Sequence, residues 1–362
     1  MPDFHFARCD KLRKILKKSN ADAMIVTDVT NVTWLTGFTG DSSWLLVTPD
    51  GQILLSDFRY TIQIAEECPG LDVAIRDTST SLAELAKRHL GKMENMKLAV
   101  EADVLTLAEA DRVREKITEN LVPLSKTVLD LRQVKNKEEI ALIRQAGKIA
   151  KNAFLAMRAT LAPHKTERQI AAELEYTMRL LGAGGSAFPS IVAVDAHAAH
   201  CHAVPAEATL ADAKMLLVDW GADYRGYKSD MTRVLVFGEI TKEFRKIYKI
   251  VLDAQLKAID AICPGKTCAE IDAVARNHIK KSGYGPHFGH GLGHGLGLNV
   301  HESPRFGPKD TTVLRPGMVL TVEPGIYVEG WGGVRIEDDI LVTRRGCEVL
   351  TDVPKSLEDT LI

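Results

Sequence analysis

No stretch of this chain approaches the roughly 20 consecutive apolar residues that a membrane-spanning helix needs, so a helical membrane protein is excluded. There is no CxxC pair. The six cysteines, Cys9, Cys68, Cys201, Cys263, Cys268 and Cys347, are scattered, which excludes a thiolate-rich zinc site and suits a reducing cytoplasm. Charge of one sign is also lacking. With a net charge of −2 and no long basic run, the chain has no electrostatic footing for nucleic acid or for an anionic membrane surface. The N-terminal stretch MPDFHFARCDKLRKILKK has acidic Asp3 and Asp10 and no apolar core, so it does not read as a signal peptide. It reads as a helix burying Leu12, Ile15 and Leu16, with Arg8, Lys11, Arg13, Lys14, Lys17 and Lys18 on a solvated face. What is present is ordinary globular stock, 45% hydrophobic and 26% charged. At 362 residues, two domains and small-molecule or peptide chemistry are expected.

From Ala23 to about Pro123, short apolar strands alternate with helical segments, the pattern of a small α/β domain. Pro49, Asp50 and Gly51 between two apolar runs predict a hairpin. Ser81 is placed to cap a helix through Leu90, and Asp103 another through about Ile117. Asn136 opens a long helix with apolar Ile140, Leu142, Ile143, Ile149 and Ala150, so the domains are set at 1–130 and 131–362. The second domain contains a weak internal repeat. Pro163, Lys165, Thr166, Gln169, Ile170 and Gly182 recur 101 residues later as Pro264, Lys266, Thr267, Glu270, Ile271 and Gly283. Two α/β halves, each contributing to one site, are implied.

The stretch Phe288 to Glu302, FGHGLGHGLGLNVHE, interleaves His290, His294 and His301 with alternate glycines. Glycine costs about 1 kcal/mol at each helix-interior position, so the segment is extended or looped rather than helical. The missing side chains leave room for a ligand or for a second backbone. Two acidic pairs accompany it. In the first half Asp219 follows the apolar run from Met215, the chain turns, and Asp230 precedes a returning strand. A fold between Tyr224 and Arg225 makes Asp219 and Asp230 direct cross-strand partners. In the second half a fold about Gly330 pairs Glu323 with Glu337 in the same way. Carboxylates that close at the end of apolar strands repel unless a proton or cation lies between them. Four carboxylates and one histidine of the glycine-rich stretch predict two divalent ions that share a water, as in two-metal hydrolases. Mostly oxygen ligands favour Mn²⁺ or Co²⁺, with Zn²⁺ or Fe²⁺ as alternatives.

The segments SIVAVDAHAAHCHAVP, LLVDWGADYRGYKSDMTR, FGHGLGHGLGLNVHESPR, LRPGMVLTVEPGIYV and GGVRIEDD resemble the pita-bread metallopeptidases, most closely the Xaa-Pro dipeptidases or prolidases. NVTWLTGFTGDSSWLLVT and LLSDFRY resemble the creatinase-type N-terminal domain of those enzymes. The resemblance implies an α/β (α+β) architecture, in which a small α/β domain precedes a pita-bread domain of two pseudo-symmetric α/β halves. It places the family's metal ligands on Asp219, Asp230, His294, Glu323 and Glu337, with Glu323 also the general base, and its two non-ligand active-site histidines on His202 and His301. His290 matches a further histidine position, either behind the ligands or lining the pocket where substrate binds. Arg335, on the strand face of Glu337, is read as orienting the carboxylates from behind. Arg305 stands where prolidase-like sequences place an arginine that takes the free carboxylate of a dipeptide. Cys201, beside His202, is read as pocket wall, and His197, His200 and His287 are given no role. Asp195, His197 and His200 depart from the Gly, Asn and apolar residue more usual in the family, which bears on pocket size.

The expected activity is hydrolysis of Xaa-Pro peptide bonds by a cytoplasmic homodimer. An Xaa-Pro aminopeptidase acting on longer peptides is the rival within the same architecture. Creatinase-like or lyase relatives generally change the metal ligands, and a metal-free peptide-binding protein would not need five of them.

Overall fold

The computed structural model describes residues 3–91 and 95–362, leaving Met1 and Pro2 of the N-terminal stretch outside the described residues. Two compact units are present, Met1–Arg132 and Gln133–Ile362. None of the described helices is long and apolar enough to cross a membrane.

The first unit runs α1 (Asp3–Lys18), β1 (Ala23–Val26), α2 (Val29–Thr36), β2 (Trp44–Val47), β3 (Gln52–Asp57), α3 (Thr61–Glu67), β4 (Asp72–Arg76), α4 (Leu82–Leu90), β5 (Leu98–Glu101), α5 (Leu107–Lys116), β6 (Leu121–Leu124) and α6 (Thr127–Arg132). Its strands form one mixed sheet in the order β4-β3-β2-β1-β5-β6. The expected hairpin is β2–β3, with Trp44 opposite Leu55, and Ser81 caps α4. The helix expected from Asp103 begins instead at Leu107. Thr106 caps it reciprocally with Glu109, while Asp103 is drawn off to accept from Ser125 Oγ at 2.5 Å. Arg8 is not on the solvated face of α1. It is buried, donates to Trp34 O at 2.6 Å and lies over the rings of Phe4 and Trp34.

The second unit carries the repeat into three dimensions. α7 (Lys137–Ala159) and α8 (Glu167–Leu180) correspond to α9 (Lys242–Ala261) and α10 (Cys268–Lys281). Thr166 and Thr267 cap α8 and α10 through capping boxes with Gln169 and Glu270, and Gly182 and Gly283, with φ of 100° and 88°, follow the two helices. The first half then supplies β7 (Gly185–Ser186), β8 (Ile191–Val194), β9 (Met215–Trp220), β10 (Ala222–Tyr224), β11 (Tyr227–Lys228) and β12 (Met231–Val236). The second supplies β13 (Gly293–Gly295), β14 (Glu302–Phe306), β15 (Val319–Val322), β16 (Gly325–Val328), β17 (Gly332–Arg335), β18 (Asp338–Val342) and β19 (Cys347–Val349). Three-stranded β12-β9-β8 and five-stranded β14-β13-β15-β18-β19 are the main sheets; the core of α7 and α8 includes residues of the first, and the core of α9 and α10 takes in residues of both.

Register decides where the acidic residues fall. In the first half Thr232, not Asp230, faces Asp219, and Tyr224 faces Tyr227. The turn is Arg225-Gly226, with φ of 51° and 85°, one position later than the sequence reading placed it. A two-residue turn with both central residues left-handed matches the twist of the strands, which a turn between Tyr224 and Arg225 would not. Asp219 and Asp230 are therefore diagonal neighbours rather than direct partners, still on one end of the sheet. The second hairpin folds about Gly330 as expected: Gly325 faces Arg335, Val328 faces Gly332, and the same register continues to Val322 opposite Asp338.

Candidate active site

The glycine-rich stretch enters the site as β13, an extended strand squeezed between β14 and β15. A Cβ at Gly293 would lie 2.1 Å from Thr321 O, one at Gly295 2.5 Å from Ser303 O and one at Gly291 2.8 Å from Phe306 O. The alternate glycines thus admit two neighbouring backbones, and the His294 side chain is left to project from between them. Its amide donates to Thr321 Oγ1 at 3.1 Å. Its Nδ1 lies 3.1 Å from Gly295 O, a pure acceptor, so Nδ1 carries the proton and Nε2 presents its lone pair. Burial holds the ring neutral, with its pKa pushed down to about 3, helped by the neighbouring His301.

His294 Nε2 lies 3.3 Å from Glu323 Oε1 and 3.7 Å from Asp230 Oδ2. Asp230, His294 and Glu337, all buried, offer ligand atoms within 4.8 Å of one another. Asp219 joins through Arg335, whose Nη2 donates to Asp219 Oδ2 at 2.5 Å. The other oxygen, Asp219 Oδ1, is buried with no hydrogen-bond partner among the described residues. Burial raises the carboxyl of Glu337 well above its usual range, with Glu323 and Asp219 adding repulsion; Asp230 is raised likewise, by burial and then by Glu337 and Asp219. Glu323 is pushed up to about 8, chiefly by burial. One guanidinium cannot offset four carboxylates, and a hard divalent cation would complete both the orphaned oxygen of Asp219 and the neutral imidazole that Asp230, Glu323 and Glu337 approach. The residues therefore fit such ions.

Behind these groups runs a chain of hydrogen bonds that the sequence did not disclose. Thr232 donates from Oγ1 to Glu337 Oε2 at 2.6 Å and accepts from Arg335 Nε at 2.9 Å. Arg335 Nη1 donates to Tyr327 OH at 2.8 Å, and that hydroxyl lies 3.0 Å from His290 Nε2. Because His290 Nδ1 faces Gly291 O at 2.7 Å, Nε2 is the acceptor and the phenol its donor. Burial lowers the His290 pKa to about 4, so this ring too is neutral. Thr232 and Tyr327 were missed because neither belongs to a charged pattern; alternation along β12 and β16 was the only available signal. On the opposite face of β12, Arg233 donates to Asp338 Oδ1 at 2.7 Å and to Glu337 O and Val353 O at 2.6 Å. Burial alone would raise the Asp338 carboxyl, yet Arg233 and Lys355 hold it below the usual range.

The remaining predicted residues rim this cluster. The His301 ring meets the His294 ring edge to face at 4.3 Å between centroids, and burial followed by the Arg305 charge lowers its pKa. Arg305 is exposed, sits opposite His294 in the β13–β14 ladder, and its charge also reaches Glu323. His202 is exposed, and its field is felt at His290 and His301. Cys201 contributes its carbonyl, 3.4 Å from Arg335 Nη1. His287 contacts Tyr327 O at 3.0 Å, and His197, which was given no role, contacts buried Glu167.

Duplicated α/β halves meeting at an acidic, histidine-bearing centre define a metal-dependent hydrolase of the pita-bread type. The Metallopeptidase family M24 profile matches residues 141–344, and the Creatinase/Prolidase N-terminal domain profile matches residues 8–134. The chain belongs to metallopeptidase family M24. It is 35% identical over 351 residues to an Xaa-Pro dipeptidase of Pyrococcus furiosus, covering 97% of this chain and 99% of that one. Among solved structures, an Xaa-Pro dipeptidase from Bacillus anthracis superposes with a TM-score of 0.94 at 35% identity, covering 99% of this chain and 100% of that one. An X-Pro aminopeptidase from Thermotoga maritima gives 0.87 at 34% identity, covering 95% and 98%.

Proposed function

We propose that this chain is an Xaa-Pro dipeptidase that holds two divalent ions with Asp219, Asp230, His294, Glu323 and Glu337. The observation that carries the reading is the convergence of Asp230, Glu323 and Glu337, from both halves, on the neutral imidazole of His294, with Asp219 Oδ1 buried and unsatisfied beside them. Mn²⁺ or Co²⁺ suits this oxygen-rich set first, with Zn²⁺ or Fe²⁺ as alternatives. When bound, the ions lower the pKa of a water and polarise the scissile carbonyl. Glu323 accepts the proton of the attacking water as general base, placed 3.3 Å from His294 Nε2 at the centre of the site. His202 and His301 hydrogen-bond the carbonyl oxygen as it gains charge and pass a proton to the departing proline nitrogen. Arg335 keeps the Asp219 carboxylate oriented, and the phenol of Tyr327 keeps His290 facing the pocket.

Arg305 favours a dipeptide. Its exposed guanidinium on the rim makes two parallel hydrogen bonds to a free carboxylate, whereas a longer peptide presents a neutral carbonyl there. The likeness to an X-Pro aminopeptidase keeps cleavage of longer peptides as the second reading. A panel of Xaa-Pro dipeptides, Xaa-Pro tripeptides and non-proline controls with added Mn²⁺ or Co²⁺ decides between them; turnover of tripeptides above dipeptides reverses the assignment. A cytoplasmic setting is supported by six free cysteines, and homodimeric assembly by the family resemblance, with light scattering as its check.

A further inference from the structure

Glu167, the first residue of α8, has a fully buried side chain, 0% exposed. Its Oε1 accepts from Val194 N at 2.8 Å and its Oε2 from Ala206 N at 2.8 Å, while His197 Nδ1 lies 2.9 Å from either oxygen. These three partners bracket the segment 194–206, which carries His202 at its exposed crest. The His202 imidazole makes no hydrogen bond to the described residues, so only the course of its backbone aims it. Other anchors lie at its start and within its own turns: Asp195 Oδ1 accepts from Lys214 N and Met215 N at 2.9 Å, and His200 N and Ala203 N donate at 3.1 Å to His197 O and His200 O. Residues 206–208 are bonded back to the start of α8, Arg168 N to Ala206 O at 3.1 Å and Glu167 N to Ala208 O at 3.0 Å. The turn at 195–199 packs on β17, where a Cβ at Gly333 would come within 2.0 Å of Ala198 O. Nearest His202, the contact from Arg335 to Cys201 O is long, at 3.4 Å.

We propose that Glu167 and His197 form a latch that closes the segment 194–206 and thereby positions His202; this rests on the reading of His202 as a group that touches substrate. A carboxylate is needed because two amide N–H groups and an imidazole N–H all point at it, and only an acceptor-only group satisfies them together. His197 supplies the third donor from the inside of the loop.

The test compares Glu167→Gln, His202→Asn and the double variant, in the metal-loaded protein. Glutamine keeps one acceptor and turns an NH₂ against a backbone N–H. Loss of one charge-assisted bond should speed hydrogen exchange at the Val194 and Ala206 amides by roughly tenfold, with β9 and β12 unchanged. Displacement of His202 should lower kcat by about 10- to 100-fold at constant KM and metal content. In the double variant kcat should equal that of His202→Asn alone, because the latch acts only through that ring. Losses that multiply, or an unchanged kcat with accelerated exchange, would overturn the positioning role, and unchanged exchange would overturn the latch itself. If Glu167→Gln does not fold, His197→Ala removes the third contact alone and is judged by the same readouts. A wild-type protein that cleaves no Xaa-Pro substrate overturns the functional reading instead, and amide exchange then decides the latch.

Discussion

Replacing Thr232 by valine removes one hydroxyl and keeps the branched shape of a side chain that is fully buried. That hydroxyl donates to Glu337 Oε2 at 2.6 Å and accepts from Arg335 Nε at 2.9 Å. The two losses are unequal. Arg335 retains Asp219 Oδ2 and Tyr327 OH, so its charge is not stranded, whereas Glu337 loses the hydroxyl that fixes one of its oxygens. A hydrogen bond to a charged group contributes about 1.5–3 kcal/mol. Expressed as an equilibrium, that is on the order of 10- to 100-fold, the range found when an outer partner of a metal ligand is removed. Calorimetric titration of the metal-free variant with Mn²⁺ should therefore show affinity weakened by that factor, while thermal unfolding stays cooperative. Affinity equal to wild type would refute the claim that Thr232 orients Glu337. A weaker affinity accompanied by non-cooperative melting would show that the hydroxyl supports the fold instead.

Metal-free protein should lose stability as pH rises. The carboxyls of Asp230, Glu323 and Glu337 ionise at about 4 in the unfolded chain, but folding raises them, Glu323 to about 8. Between those values the folded state holds the extra protons, so the melting temperature after chelation should fall from pH 5 to pH 8 and recover with metal; a flat or rising profile refutes the crowding. Arg305→Ala should raise KM sharply for Xaa-Pro dipeptides while sparing Xaa-Pro tripeptides, and equal losses on both would remove Arg305 from substrate recognition. Gly293→Ala places a Cβ 2.1 Å from a backbone oxygen, so β13 must shift from β15. The expected cost is about 1–3 kcal/mol in thermal or denaturant unfolding, with weakened metal binding, and wild-type stability would contradict the close packing.

Patterns that repeat along the chain were legible before the structure. The 101-residue repeat appears as two helix pairs with matching threonine caps, and alternate glycines gave the extended course of β13 because they serve a local backbone requirement. The second acidic hairpin was read in register because Gly330 and the glycines after it mark its turn. The first was read one residue early at its turn, since Tyr224, Arg225 and Gly226 fix only roughly where the left-handed pair will fall. Asp103 was read as a cap when Thr106 had the partner, Glu109, at the right distance along the helix. Arg8, Thr232, Tyr327 and Glu167 were out of reach for a common reason: each acts through a contact distant in sequence, and nothing in the residue type announces it.

The two faces of β12 make opposite electrostatic demands on the union of the halves. On the face bearing Asp230 and Thr232, like charges crowd together and would push the second half away. On the other, Arg233 ties the strand to Glu337 O, to Asp338 and, through Val353 O, to the chain's last segment, so opposite charges are already neutralised. Departure of the ions thus leaves one folded body with a repulsive gap, rather than two lobes that must find each other again. Such a centre could exchange one ion for another without the halves separating, although the crowded carboxylates weaken the metal-free state as pH rises.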